Sequence, residues 1–473
     1  MADINYHSQQ LETVKAERRR ARLAAEWTRE WWFRLLAILL FAELIVPFFL
    51  WQAGLPASTD FFREVVAAAI VGLAFVFMLL RDRIPGALLL ILGITLIWGM
   101  LALLEGQAAA PTAWGWWRLF KYPLIGIFAY LVPRWPADFA RWFFRFCVAL
   151  LIFEVGVQLV QFALGAPPGD SLAGTFPWKG VGPFTMFVFF VVCLGFGHWL
   201  ATHQAKGLLL IIALGTAGAM LSVTKFYLMA VALLGMATLV LHLVRGGRFR
   251  QLFLYVALFI LSAAIFLPVY NTFIANTRGL KPLQEYLTMD SLEGYLFSDG
   301  KGAEDGKYNL GRGLAITYAW QQISGDPVTT LFGFGLGSRT SSTALNVSGR
   351  VLDDDLYGGV NAATLGTWIQ EFGLVGVGLF LCLNIWMAWK MIRHARHVDD
   401  PYLATLEYGL ALFTLMWPMW LWYQKPWVSG VMMTLYWVSI GFVFQQINKP
   451  SKRRSRFADR ERQAVAPADG SRP

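Results

Sequence analysis

Apolar stretches of about 20 residues, the length needed to cross the hydrocarbon core of a bilayer, recur from Trp32 to Phe444. They are interrupted once, by the polar segment Asn271–Ala362. Hydrophobic residues make up 57% of the chain and charged residues 15%, with 21 Trp and 37 Phe. A soluble core of this size carries more charge, so the chain belongs in a membrane. The expected fold is an all-α, polytopic membrane helix bundle of about twelve spans. The spans read as 32–53, 62–80, 84–104, 114–133, 138–164, 183–201, 207–222, 225–244, 250–270, 364–390, 402–422 and 428–446. The pair at 207–244 has the shortest separator, Ser222-Val223-Thr224-Lys225. Five regions follow: a charged N-terminal segment 1–31, spans one to nine over 32–270, a loop over 271–362, spans ten to twelve over 363–447, and a basic tail over 448–473.

Basic residues set the expected orientation. Arg18-Arg19-Arg20 precede the first span and Lys452, Arg453, Arg454 and Arg456 follow the last. Between them, Arg81 and Arg83, Arg134 and Arg141, His203 and Lys206, Arg245, Arg248 and Arg250, and Lys390, Arg393 and Arg396 fall in every second loop. The loops Gln52–Ser58 and Gly106–Ala113 carry no Lys or Arg. The positive-inside rule then puts both termini in the cytoplasm and the 271–362 loop outside, periplasmic or extracellular. That loop carries seven basic and ten acidic residues and lacks the inner-face bias. The net charge of +10 is accounted for by orientation and contact with anionic lipid rather than by nucleic acid. Leu11–Trp31 is helix-like and charged, without the apolar core of a cleaved signal peptide. The tail after Lys449 has a disordered composition.

Cys147, Cys193 and Cys382 all fall in spans, where packing is their expected role. His7, His198, His203, His242, His394 and His397 map to the cytoplasmic side or its membrane edge. The outer face therefore holds neither His nor Cys, which argues there against a zinc site or a histidine base. Outward chemistry falls to Asp, Glu, Lys, Arg and Tyr, with no metal or cofactor expected.

Ionisable groups inside spans are costly and face the bundle interior or a partner. Arg118 and Lys121 lie three apart on one face near the outer end of the fourth span. Glu154, Gln158 and Gln161 form a polar stripe on the fifth. That stripe either lines an outward polar cavity for an amphiphilic substrate or includes a Glu154 paired with Arg118 or Lys121. Glu43 stands alone in the first span. In the outer loops, Gly174-Thr175-Phe176-Pro177-Trp178-Lys179-Gly180 reads as a defined turn. Leu310–Ile323 reads as a helix with Arg312 in its first turn, stopped by Ser324-Gly325-Asp326-Pro327. The run from Gly333 to Arg339 makes a turn or brings backbone N–H groups to a phosphate. Asp353-Asp354-Asp355 reads as a solvated acidic patch. Glu371 opens the tenth span, where Gly373 and Gly376 allow close helix packing.

With these motifs in this order, the chain resembles the O-antigen ligase and O-antigen polymerase superfamily of bacterial membrane glycosyltransferases. The resemblance rests on the span count, the large outer loop between spans nine and ten and Gly174-Thr175-Phe176. It also rests on the Ser222 to Lys225 element, the Gly311-Arg312 helix with Pro327 and Gly333–Gly337, and Glu371-x-Gly373-x-x-Gly376. It is best over residues 172–390. It implies a GT-C-like bundle in the bacterial inner membrane and a metal-independent transfer from a glycan on undecaprenyl diphosphate. A glycan acceptor would be the second substrate and a chain-length regulator a further partner. Lys179, Lys225, Arg312 and Arg339, with Arg118 and Lys121 behind them, would hold the diphosphate. Glu371 would take the proton of the acceptor hydroxyl, with Arg312 as the second catalytic group.

Two positions depart from the superfamily pattern. Its ligases carry a His-Asn pair where this chain has Ala362-Ala363, and the Ser-x-x-Arg element ends here in Lys225, which keeps the charge but not the bidentate geometry. The missing His favours a polymerase of lipid-linked repeat units over a ligase to lipid A-core. A flippase of lipid-linked sugars is the competing class, disfavoured by the one-sided loop and by the absence of a repeat between the halves. A protein-mannosyl-type transferase would need an acidic pair in the first outer loop, which offers only Asp60 before Glu64.

Overall fold

A computed structural model describes residues 30–49, 59, 61–81, 85–132, 135–167, 169, 171–176, 180–244, 268, 270–275, 282–286, 288–290, 293, 297, 311–342, 345–353, 364–426 and 429–449. Helices dominate it, with one ribbon of two-residue strands, β1 Ser341–Ser342 and β2 Val347–Ser348, paired antiparallel. The long helices are α1 Glu30–Phe49, α2 Phe61–Arg81, α3 Gly86–Leu104, α4 Ala109–Leu131, α5 Phe139–Ala163, α6 Val181–Thr202, α7 Ala205–Leu221 and α8 Lys225–Val244. After the interruption come α9 Arg312–Ile323, α10 Pro327–Phe332, α11 Thr364–Ala395, α12 Pro401–Leu415, α13 Trp417–Tyr423 and α14 Gly430–Ile447.

Seven of the described helices (α1, α3, α5, α6, the Phe226–Val244 part of α8, α11 and α14) are long and apolar enough to cross a membrane. Two further expected spans, α2 and α4, carry Arg63 and Glu64, and Arg118 and Lys121, respectively. The expected span at 250–270 lies outside the described residues except for 268 and 270. The one expected at 402–422 is two helices, parted at Met416 just before Pro418. Pro has no N–H and is tolerated in the first turn of a helix, so a new helix starts where the old one stops.

Packing follows composition. In α6 both faces are apolar and nearly all of it is buried, the pattern of a helix surrounded by others. It lies along α12, where a side chain at Gly409 would sit 2.8 Å from the Leu194 Cα. Helix α4 lies along α14, and α11 along α12. By contrast, α1, α3 and α8 bury only about a third of their apolar stretches and expose Phe41, Leu96, Leu104 and Val240, as lipid-facing helices do. The short α9 and α10 do not float free: both pack on α11, with Ala315, Ala319 and Ile323 clustered against Ile369.

Two sets of interior charges are paired between helices. Arg63 of α2 contacts Glu43 of α1 at 2.7 Å, and the Tyr122 hydroxyl donates to the same carboxylate at 3.2 Å. Lys121 meets Glu64 at 2.6 Å, where the Trp117 indole N–H also donates. Glu43, solitary in the sequence, thus has a partner 20 residues away.

Candidate functional site

The site is built around a break in α11. Gly373 has φ 60° and ψ −166°, outside the helical region. The two glycines of this motif were expected to serve close packing; Gly373 does pack closely, on Leu331 and Gly333, and it also interrupts the helix. A Cβ there would sit 2.5 Å from the Leu331 carbonyl. The interruption frees carbonyls that an unbroken helix would consume, and the segment after α10 takes them. Phe334 N–H donates to the Gln370 carbonyl at 2.7 Å and Gly335 N–H to that of Glu371 at 3.1 Å. The Trp98 indole N–H donates to the Phe332 carbonyl at 2.8 Å and the Phe372 carbonyl at 3.2 Å, and Leu336 N–H returns to the Trp98 carbonyl at 3.1 Å.

This arrangement decides what the glycine run does. Gly333, Gly335 and Gly337 have φ 75°, 89° and 83°, open to glycine at little cost. Side chains at these positions would collide with α11, α3 and α4 respectively. The amides of 334 to 336 are spent on protein carbonyls. The run therefore clamps a strap across three helices, and the phosphate-cradling alternative finds no spare N–H among those three residues.

The strap delivers Arg339 and Thr340 to Glu371. Oε1 of Glu371 accepts from Arg339 N–H at 2.9 Å and from the Thr340 hydroxyl at 3.4 Å. Oε2 accepts no hydrogen bond among the described residues. Arg339 Nε donates to Gln370 Oε1 at 2.6 Å, and the Gln370 amide donates onward to Gln322 of α9. Arg339 and Glu371 are both buried. From α4, the Arg118 guanidinium interacts electrostatically with Glu371 and with Glu64.

Arg312 is the first residue of α9. Its Nε donates to the Tyr423 carbonyl at the end of α13 at 2.7 Å, and its guanidinium lies 4.7 Å from the centre of the Tyr423 ring. That ring stacks on Phe226, the neighbour of Lys225, at 3.7 Å. Two residues beyond Tyr423 lies Lys425, partly buried. Burial, and then the charge of Arg118, push its ammonium down to about 8. Lys425 was not among the sequence candidates. Its signal was a lone Lys between the last two spans, in a series of outer loops where the charge rule leaves short connections without cations.

The other sequence candidates fall elsewhere. Lys121 is committed to Glu64, which also accepts from the Trp117 indole N–H. Lys179 lies outside the described residues, as does the side chain of Lys225. The Ala362-Ala363 pair, Asp354 and Asp355 lie outside them too. The polar stripe on α5 fastens a loop. Glu154 accepts from the Thr175 N–H at 2.8 Å and the Thr175 hydroxyl at 2.6 Å, Gln158 donates to the Leu172 carbonyl at 2.7 Å, and Gln161 bonds both N–H and C=O of Gly174. Glu154 pairs with neither Arg118 nor Lys121.

An apolar groove of roughly 410 Å³ runs between α3, α4, α11 and α14. Leu90, Ile94, Phe120, Phe372, Leu379 and Ile440 line it. Its lining includes Trp98 and Phe372, the second next to Glu371, and Leu119, next to Arg118. Among the described residues no group of three or more His, Cys, Asp or Glu is gathered as a metal ligand set. No protein-family model matches the chain, and no curated protein matches it.

Proposed function

We propose that the protein is a membrane glycosyltransferase that polymerises undecaprenyl-diphosphate-linked oligosaccharide repeat units at the outer leaflet of the bacterial inner membrane. The observation that carries this reading is an apolar groove between the helices that also carry the charged groups: Phe372 and Leu119 line it, and their neighbours in sequence are Glu371 and Arg118, which interact electrostatically. A polyprenyl diphosphate has the matching shape, a long apolar tail ending in a polyanion. In this reading the bundle is GT-C-like with about twelve spans, both termini cytoplasmic, and the 271–362 segment outside.

The chemistry follows from the parts. The acceptor hydroxyl oxygen attacks the anomeric carbon of the donor sugar. The bond from that carbon to the diphosphate oxygen breaks, and its electron pair leaves with undecaprenyl diphosphate. Arginine and lysine stabilise the charge that develops on the leaving group. The hydroxyl proton passes to Glu371, whose Oε1 is held by the strap while Oε2 is left to accept. Arg312 and Arg339 border the site from the loop side.

The test is reconstitution of the full chain in nanodiscs with lipid-linked repeat units. The expected result is longer chains and released undecaprenyl diphosphate. Transport of the lipid across liposomes with no new glycosidic bond would replace this reading with a flippase. Transfer to lipid A-core but not to a second repeat unit would replace it with a ligase.

A further inference from the structure

The groove between α3, α4, α11 and α14 has two ends. Trp98 and Phe372, with ring centres 6.0 Å apart, mark the end that adjoins Glu371 in sequence. The other lies at Gly86, Tyr130, Trp386 and Phe444. There the Trp386 and Phe444 rings are 5.6 Å apart and the Asn448 amide donates to the Tyr130 hydroxyl at 3.4 Å. From Gly86 to Trp98 along α3 the groove is about 18 Å long at 1.5 Å per residue, more than half of a hydrocarbon core of about 30 Å. The glycosyl-transfer reading gives the first end a use and leaves the second without one. Past that second end the α11 wall continues. Leu379, Leu383 and Trp386 line the groove at spacings of four and three, and Lys390 and Arg393 carry the same face onward at four and three. The Lys390 ammonium lies 5.9 Å from the Trp386 and Trp389 ring centres, and the Arg393 guanidinium 5.4 Å from that of Trp389. Lys390 is half-buried and Arg393 exposed. Among the described residues neither is paired with a carboxylate, whereas His394, the next residue, meets Glu407 of α12 at 2.8 Å. Tryptophan beside Lys and Arg is the composition of a membrane–water interface, and the charge rule assigns this one to the cytoplasmic side. An apolar groove that ends in unmatched cations at an interface complements a lipid with a hydrocarbon chain and a net negative headgroup. A zwitterionic headgroup would bring its own ammonium against Lys390 and Arg393.

We propose that this second end of the groove binds an anionic glycerophospholipid of the phosphatidylglycerol class, drawn from the leaflet at that end. One acyl chain lies in the groove along α3 and α11, and the phosphate rests on Lys390 and Arg393, with Trp386 between chain and headgroup. The general attraction of basic loops for anionic lipid needs no groove; here chain and phosphate are held together, by helices from both halves of the sequence. The site does not depend on the glycosyl-transfer reading, whose chemistry belongs to the opposite end.

The test is titration of the delipidated full chain, in neutral detergent, with phosphatidylglycerol, phosphatidylethanolamine and phosphatidylcholine of one chain length, read by native mass spectrometry. Phosphatidylglycerol is expected to bind at least tenfold tighter than either zwitterionic lipid. Lys390→Met combined with Arg393→Met is expected to weaken phosphatidylglycerol at least tenfold and leave phosphatidylcholine unchanged, while Lys390→Arg combined with Arg393→Lys stays within threefold of wild type. Ala87→Trp, which fills the groove from an exposed position in its lining, is expected to weaken phosphatidylglycerol at least tenfold. Arg145→Met removes an exposed cation of α5, which does not line the groove, and is expected to stay within twofold. Without lipid, the Lys390 and Arg393 variants are expected to melt with wild type, so that lost binding is not lost fold. Equal affinity for the three lipids overturns the site. A loss in Arg145→Met as large as in the double variant also overturns it, by assigning the attraction to the basic surface as a whole. Phosphatidylglycerol binding untouched by Ala87→Trp removes the chain from the groove and overturns the site too. Farnesol binding that Ala87→Trp abolishes while phosphatidylglycerol binding survives would give this end to a prenyl tail instead. Phosphatidylglycerol binding that depends on Lys390, Arg393 and Ala87, in a protein that forms no glycosidic bond, would keep the site and remove the transferase reading.

Discussion

Glu371 and Lys425 show at residue scale how this bundle uses charge. The carboxylate is buried and tied on one oxygen to Arg339 and Thr340. Glu371→Gln keeps that oxygen's acceptor role and loses only the ability to take a proton. The expected outcome is a fall in transfer rate of about 10²- to 10⁴-fold, the usual worth of a general base, with affinity for the lipid donor held within threefold; single-turnover assays and donor titrations separate the two. Lys425 predicts a pH dependence. Its ammonium, pushed down to about 8, is charged below that value and neutral above it. Linkage fixes the sign for the unliganded protein. An unfolded lysine keeps its proton to about pH 10.4, so the unfolded chain binds more protons than the folded one between pH 8 and 10.4. Within that window this residue's contribution makes the folded state more stable as pH rises. Neither role was visible in single residues of the sequence. Glu371 stood out through its spacing to Gly373 and Gly376, whereas Lys425 has no motif around it.

At the scale of elements, the ranges of α2 to α8 follow the apolar runs closely, because length and composition suffice to mark a helix that lies in lipid. The helix α9 and its stop at Ser324 to Pro327 were legible for a similar reason: capping and proline chemistry are local. The break in α11 was not. A glycine inside an apolar helix is ordinary in membranes, and the left-handed turn at Gly373 is imposed by Leu331 and Gly333 packing against it from outside the helix. Gly373→Ala tests this account. Left-handed backbone costs a residue with a Cβ about 1–2 kcal/mol, and a Cβ there also meets the Leu331 carbonyl at 2.5 Å. A lower melting temperature is expected, together with loss of transfer, because the carbonyls that anchor the strap sit one turn before the break. An unchanged melting temperature would mean the break is incidental. The α5 stripe teaches the same lesson in reverse. Three polar side chains on one face looked like a cavity wall, and the loop that consumes them lies 13 to 21 residues downstream of its partners, at a contact no spacing rule encodes.

At the scale of the whole molecule, the alternation of basic loops predicts which end faces out. Asn346 lies in the strap region and Arg396 after α11, both exposed. Asn346→Cys is expected to react with a membrane-impermeant maleimide in intact spheroplasts, and Arg396→Cys only after lysis; the reverse pattern would invert the orientation. The cross-helix pairs have a consequence for how such a chain is made. A charged residue costs roughly 2.5–3.5 kcal/mol at the centre of an inserting helix and less toward its ends, where Arg63 and Glu64 lie, in the first turn of α2. Helix α2 presents Arg63 and Glu64, and α4 presents Arg118 and Lys121. Glu43 arrives with α1 before α2 emerges, whereas Lys121 reaches Glu64 only once α4 has been synthesised, 57 residues later. Integration of α2 is thus provisional until α4 arrives, and the ribosome's pace across that interval becomes part of what determines the yield of correctly threaded protein.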